Sequence, residues 1–272
     1  MRLRSRAILV VGILLAGVVS AWHLGLDSSS IWPTAERWTV LGRFLSAAFM
    51  PTLTSQSDLA INIVPRTLQA MWTTVIFAVA AMSLSLVGGI ALGVLASERW
   101  WSLFPVPRAV RPVLYGSVRT LIAFMRSIHE ILWAIGLLAA FGLTTVAAVI
   151  AIAIPYAGTL AKVFSEMLDE APEDAAEALR MAGAGSLQIF VFGLIPRAIP
   201  DMGAYAFYRF ECALRSAAIL GFFGFETLGK YIHQSCGELY FREAWTYLYA
   251  LVLLIVIVEW WSGAVRRKLT VA

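Results

Sequence analysis

The sequence predicts an all-α integral membrane protein with about six transmembrane helices, and three observations predict it. The 272-residue chain is 60% hydrophobic and only 14% charged, with a mean hydropathy of +0.79. That leaves too little polar surface to cover a water-soluble globule. Apolar stretches of about 20 residues, the length that crosses a hydrocarbon core of ~30 Å, recur along the chain. The basic residues sit beside those stretches rather than together on one polar face, so the net charge of +4 reads as a topology signal and not as a nucleic-acid footprint. Two cysteines, Cys212 and Cys236, and three histidines are too few and too scattered for a disulfide framework or a metal site.

The spans fall at about 7–24, 72–96, 120–141, 143–164, 202–223 and 245–262, in a chain read as one transmembrane domain over 1–272. The first follows the basic segment Met1–Arg6. Because its apolar run is short and Val19-Ser20-Ala21 resembles a cleavage region, a removed signal peptide is the alternative to a retained helix. Residues 25–66 form the longest polar stretch, with serines at 28–30, Pro33, Pro51 and Pro65, and a helical segment around Trp38–Phe49. In the second span Ser85, Gly89 and Gly93 repeat every four residues, which predicts close helix packing. Gly142 and its neighbours leave almost no connection between the third and fourth spans, so a tight helical hairpin is expected. Tryptophans such as Trp100, Trp101, Trp260 and Trp261 cluster near span ends, where amphipathic rings anchor helices at the headgroups.

Orientation follows from Lys and Arg. With the N-terminus inside, the cytoplasmic segments carry Arg2, Arg4, Arg6, Arg99, Arg108, Arg111, Arg119, Lys162, Arg180, Arg197, Arg266, Arg267 and Lys268, against Arg37, Arg43, Arg66, Lys230 and Arg242 outside. Both termini are therefore expected in the cytoplasm.

This topology places residues 168–196 in the cytoplasm, after the fourth span. Six acids lie between Glu166 and Glu177 with no base among them. Pro172 suits a first helical turn, while Glu170, Glu173 and Asp174 complement the positive end of the helix dipole. Arg180 lies at the other end, and Gly183 suits the left-handed residue that stops the helix. Ser186 is placed to cap a second short helix, which Pro196 is expected to limit. Ala171, Ala175, Ala176, Ala178, Ala182 and Ala184 offer a small-residue surface for a partner, although an ordinary amphipathic interfacial loop fits the same residues.

This stretch resembles the cytoplasmic "EAA" loop of type I ABC importer permeases: Glu-Ala-Ala, three residues, Gly, nine residues, Ile-x-Leu-Pro. Here Glu177-Ala178-Leu179 leads to Gly183, Ala184 and then Gly193-Leu194-Ile195-Pro196, departing at Leu179, Gly193 and Ile195. The chain is most similar to the phosphonate/phosphite branch through "FMRSIHEILWAI" from Phe124, "EALRMAGAGSLQ" from Glu177 and "YRFECALRSAAILGFFGFETLG" from Tyr208, departing at Gly224–Gly229. The resemblance implies a type I importer fold whose coupling helix pair carries Glu177, Ala178, Gly183, Ala184 and Pro196. It implies an ATP-binding cassette subunit that binds ATP and magnesium, a periplasmic substrate-binding protein and a second permease copy in a homodimer. The permease would then sit in the inner membrane with no cofactor, metal or catalytic residue of its own. Its substrate would be a phosphonate, phosphite or hypophosphite, with an amino acid or another oxyanion as the alternative.

Charges inside the spans are the remaining signal. Arg126 and Glu130 in the third span and Arg209, Glu211 and Arg215 in the fifth are costly at membrane depth and should face the bundle interior or a water-filled path. They either pair, Arg126 with Glu130 at i,i+4 and Glu211 with Arg209 or Arg215, or ease passage of a small anion. "GFETLGKY" from Gly224 nearly fits a phosphate-binding loop but ends in Tyr231 and follows a span instead of a strand, and "HEILW" from His129 lacks the second His of a zinc motif. A stand-alone secondary transporter would also bury Arg and Glu, but it has no need of a cytoplasmic coupling loop.

Overall fold

The computed structural model describes residues 2–25, 34–56, 61–104 and 106–271. The serines at 28–30 and Pro33 lie outside the described residues. By backbone contacts the chain separates into two units, Met1–Pro51 and Thr52–Ala272. The first holds α1 (Arg2–His23) and α2 (Ala35–Ala48). The apolar part of α1, Ile8–His23, is a shorter helix than those that meet the length of a span.

The second unit carries α3 (Val64–Ala96), α4 (Glu98–Leu103), α5 (Arg111–Ser127), α6 (Glu130–Phe141), α7 (Thr145–Glu170), α8 (Asp174–Met181) and α9 (Ser186–Gln188). A π-helical segment Ile189–Leu194, α10 (Ile195–Ile219), a 3₁₀ turn Leu220–Phe223, α11 (Leu228–Gly237) and α12 (Phe241–Val271) complete it. Among the described residues three helices, Val64–Ala96, Thr145–Glu170 and Phe241–Leu269, are long and apolar enough to cross a membrane, and the α5–α6 pair makes a fourth if counted as one bent span. At 25 residues α10 is also long enough, about 37 Å at 1.5 Å per residue, but it carries Arg197, Asp201, Arg209, Glu211 and Arg215.

The core forms around α7, whose apolar window is 61% buried, against 33% for α3 and 11% for α12. The small residues of α3 make this contact. Ser85 Oγ donates to the Ala153 carbonyl at 3.2 Å, and a Cβ on Gly89 would sit 2.6 Å from Leu160 Cβ. A Cβ on Gly93 would sit 3.0 Å from Phe164 Cβ, so the four-residue repeat is a packing stripe, as its spacing predicts.

The stretch 120–141 is not one straight span. Ile128 and His129 are extended, His129 Nδ1 accepts from the Ile131 N–H at 3.3 Å as a helix cap, and α5 and α6 meet at 90°. A capping side chain followed by Glu130 in the first turn starts a new helix there, which hydropathy averaging over the stretch hides. The α6–α7 hairpin is as tight as expected: Gly142 sits at φ 76°, and Thr144 Oγ1 caps α7 by accepting from Ala147 N–H at 3.2 Å.

At the end opposite α8 the chain makes a dense turn. Thr227 Oγ1 donates to the Ala218 carbonyl at 2.9 Å, and Thr74 Oγ1 accepts from the Leu228 N–H at 3.2 Å. The phosphate-loop look-alike lies here, running from the end of the 3₁₀ turn into the first turn of α11. Its Lys230 is engaged by Glu226, which also accepts from the Tyr231 hydroxyl. Hydrogen bonds from Lys230 and Tyr231 hold the Glu226 carboxyl below its ordinary range, while burial and the bond to Glu226 push the Tyr231 hydroxyl up to about 12.

Candidate functional site: a bent helix pair and a polar seam

After Glu170 the chain turns through Ala171–Glu173 and forms α8, whose N–H groups at Glu177 and Ala182 close onto Glu173 and Ala178 carbonyls at 2.8 and 3.0 Å. Gly183 ends the helix at φ +80°. Its N–H donates to the Arg180 carbonyl at 3.1 Å, and the Ala184 N–H donates to the Leu179 carbonyl at 3.0 Å. These two bonds are the paired closure of a Schellman motif, which needs a left-handed residue at Gly183.

The second helix runs further than expected. Pro196 does not limit it: residues 186–219 are continuously helical through α9, the π-helical segment and α10, with Pro196 in the first turn of α10. The Ile195 N–H donates to the Phe190 carbonyl, one residue beyond the α-helical partner. The wider π turn gives the proline ring room where an α turn would press it against a carbonyl one turn back. A close approach holds the pair together, since a Cβ on Gly193 would sit 2.9 Å from Ala176 Cα and 3.1 Å from its N.

A compact apolar cluster of Leu168, Ala171, Ala176, Ile189, Phe190, Leu194 and Ala198 lies inside this elbow. The expected alanine surface is therefore divided. Ala171 and Ala176 are buried in the cluster and Ala175 and Ala184 are half-buried, while Ala178 and Ala182 are exposed beside Glu177 and Arg180. Met181 is 85% and Leu187 58% exposed. The outward face thus combines small residues with protruding apolar ones.

Sequence reasoning missed the brace of this elbow. Ser97 Oγ donates to Asp169 Oδ1 at 2.5 Å, the Arg99 N–H donates to the same oxygen at 3.2 Å, and Arg99 Nε donates to the Asp169 carbonyl at 2.9 Å. Arg99 also pairs with Glu173, at the start of α8. Trp100 packs edge-on against Phe190, ring centres 5.0 Å apart, and Trp101 is buried with its indole N–H donating to the Leu95 carbonyl at 2.7 Å. These two tryptophans pack within the protein, because α4 folds back over the elbow. Trp260, 75% exposed, retains an outward position suited to headgroups.

The charged residues of the spans pair differently from expectation. Glu130 does not pair with Arg126, since the helix breaks between them. Its carboxylate lies 3.5 Å from His129 Nε2 and accepts from Ser216 Oγ at 2.8 Å. Glu211 pairs with Arg266 of α12 at 3.0 Å, not with Arg209 or Arg215. Arg209 lies over the Tyr156 ring, 4.3 Å from its centre, and the Tyr156 hydroxyl lies 2.9 Å from Ser216 Oγ. Arg215 is exposed, with one guanidinium nitrogen 3.8 Å from Cys212 Sγ. Both carboxylates are thus engaged, and Arg126 and Arg209 have no ion pair among the described residues.

The profile of the binding-protein-dependent transport system inner membrane components matches residues 89–271. Among curated proteins, the chain is similar to the phosphite transport system permease protein PtxC of Stutzerimonas stutzeri, 27% identical over 159 residues, which are 58% of each chain. It is also similar to the putative phosphite transport system permease protein HtxE of the same organism, 29% identical over 180 residues, or 64% of this chain and 69% of the relative. Among solved structures, the MetNI methionine ABC transporter in inward-facing conformations aligns with a TM-score of 0.65 at 22% identity, over 76% of this chain and 97% of the solved one.

Proposed function

The chain belongs to the inner membrane components of binding-protein-dependent transport systems, and from that premise we propose that it is the permease of an ATP-driven importer for a small phosphorus oxyanion. The observation that carries this reading is the bent helix pair. Its inner face is closed by its own cluster and braced through Arg99, so its outer face of Glu177, Ala178, Met181 and Leu187 is free to seat on another protein. That partner would be a separate ATP-binding cassette subunit, which binds ATP and magnesium. Its movement would pass through Gly183 and the Gly193–Ala176 contact into α7 and α10, switching the pathway between inward- and outward-facing states. A single elbow per chain against a two-part motor makes a two-fold homodimer the simplest closed assembly, with both termini in the cytoplasm and substrate delivered from outside by a binding protein. The phosphite systems of the similar proteins support the substrate class.

Proteoliposomes holding the permease with its ATPase and binding protein test this. Uptake of phosphite or methylphosphonate should require enclosed ATP and persist when a protonophore collapses the proton gradient. Uptake that continues without ATP would instead identify a secondary transporter.

A further inference from the structure

On α10 the residues Tyr205, Arg209, Cys212 and Ser216 recur at helical spacing and form one polar stripe in an otherwise apolar bundle. The stripe faces Tyr156 of α7 and Glu130 of α6, reached through the Ser216 hydroxyl. Because Ser216 gives its only proton to Glu130, the Tyr156 hydroxyl must be the donor to Ser216. That chain commits Glu130 Oε1, and Glu211 is engaged by Arg266.

What remains is positive. Arg209 Nε is shielded from solvent and has no hydrogen-bond partner among the described residues, although its guanidinium is held in place over Tyr156. Arg126, exposed at the end of α5, has no ion pair among the described residues. The two belong to one neighbourhood. Helix α5 crosses α7 so closely that a Cβ on Gly158 would sit 3.4 Å from the Arg126 N, and both guanidinium groups act electrostatically on the Tyr205 hydroxyl. Tyr208 lies beside Tyr205, ring centres 6.0 Å apart, and is exposed.

We propose that Arg126 and Arg209, framed by Tyr156, Tyr205 and Tyr208, form a binding station for a tetrahedral phosphorus oxyanion inside the membrane-spanning bundle. The proposal rests on the oxyanion-importer reading and adds a site to it. A planar guanidinium presents a fork of donors that matches two oxygens of such an anion, and its attraction is strengthened where water is excluded. The Tyr205 and Tyr208 hydroxyls add neutral donors without trapping the ligand by further charge, while the Tyr156 ring, its proton committed to Ser216, only carries Arg209. Glu130 and Ser216 are positioning residues: they hold Tyr156, and Tyr156 carries Arg209.

The test is direct binding of phosphite and methylphosphonate to the permease–ATPase assembly in nanodiscs, without the binding protein, measured by calorimetry. Arg209→Gln and Arg126→Gln should each weaken binding by about tenfold or more, as expected for loss of a charge-assisted bidentate contact. Arg209→Lys, which keeps the charge and guards against a folding artefact, should fall between Gln and the native residue. Both Gln variants binding as tightly as the native assembly, or a native assembly binding neither anion, would overturn the station. ATP-driven uptake by the native assembly, measured in parallel, separates the two levels: uptake without such binding removes the station alone, and no oxyanion uptake removes the importer reading with it.

Discussion

Gly229→Ala is expected to abolish the folded permease. A Cβ at this position would sit 2.1 Å from the Ala218 carbonyl oxygen and 3.0 Å from its carbon. Neither atom is the end of a flexible side chain. The Ala218 carbonyl is also held by Thr227 Oγ1, whose own residue is fully buried, so the backbone has nowhere to retreat. Gly221 meets the same constraint from the other side, its Cβ falling 2.0 Å from the Lys230 N. Overpacking an ordinary core costs about 1–3 kcal/mol, and a clash against fixed backbone lies at or beyond the top of that range, comparable to much of a domain's ~5–15 kcal/mol of stability. Size-exclusion profiles of detergent-extracted fluorescent fusions should show the G229A peak lost or aggregated. Gly237→Ala, where a Cβ meets nothing within 4 Å, should elute as the native protein does.

Gly193→Ala should leave the bundle folded and disconnect the elbow. The new methyl would press on the backbone of Ala176, in the first turn of α8, at 2.9 Å. The cluster containing Ala176 is separate from the larger core around α7, so the damage is confined to the helix pair. Helix α8 has to lift from the π-helical segment, at about 1–3 kcal/mol. If that displacement is charged to docking of the ATPase, about fivefold to 150-fold of affinity is lost. Insertion should stay near native levels while co-purification of the ATPase and ATP-driven uptake fall together. Gly185→Ala is the matched control, because its Cβ would meet only the Gln188 side-chain oxygen at an ordinary 3.7 Å.

Features written locally in the chain were legible in the sequence. The left-handed stop at Gly183 follows from one glycine after an alanine-rich helical run, and the α3–α7 contact from the spacing of Ser85, Gly89 and Gly93. The hairpin at Gly142 is likewise a short-range signal. Features that depend on residues far apart were hidden. Glu211 finds Arg266, 55 positions on, and Asp169 gathers Ser97 and Arg99, 72 and 70 positions back; no spacing rule links such pairs. The break at His129 and the continuation through Pro196 misled for a different reason. At His129 a cap overrides the averaged apolar pattern, and at Pro196 a π turn accommodates a proline that would otherwise end the helix.

The exposed face of α8 is proposed to carry load from a separate ATPase. A photo-crosslinking amino acid in place of Met181, at the tip of that face, reports the neighbour directly in native membranes. A covalent product with an ATP-binding cassette protein, abolished by Gly193→Ala, is expected. Products with lipid alone, or labelling of that position by a probe confined to the periplasm, would contradict it.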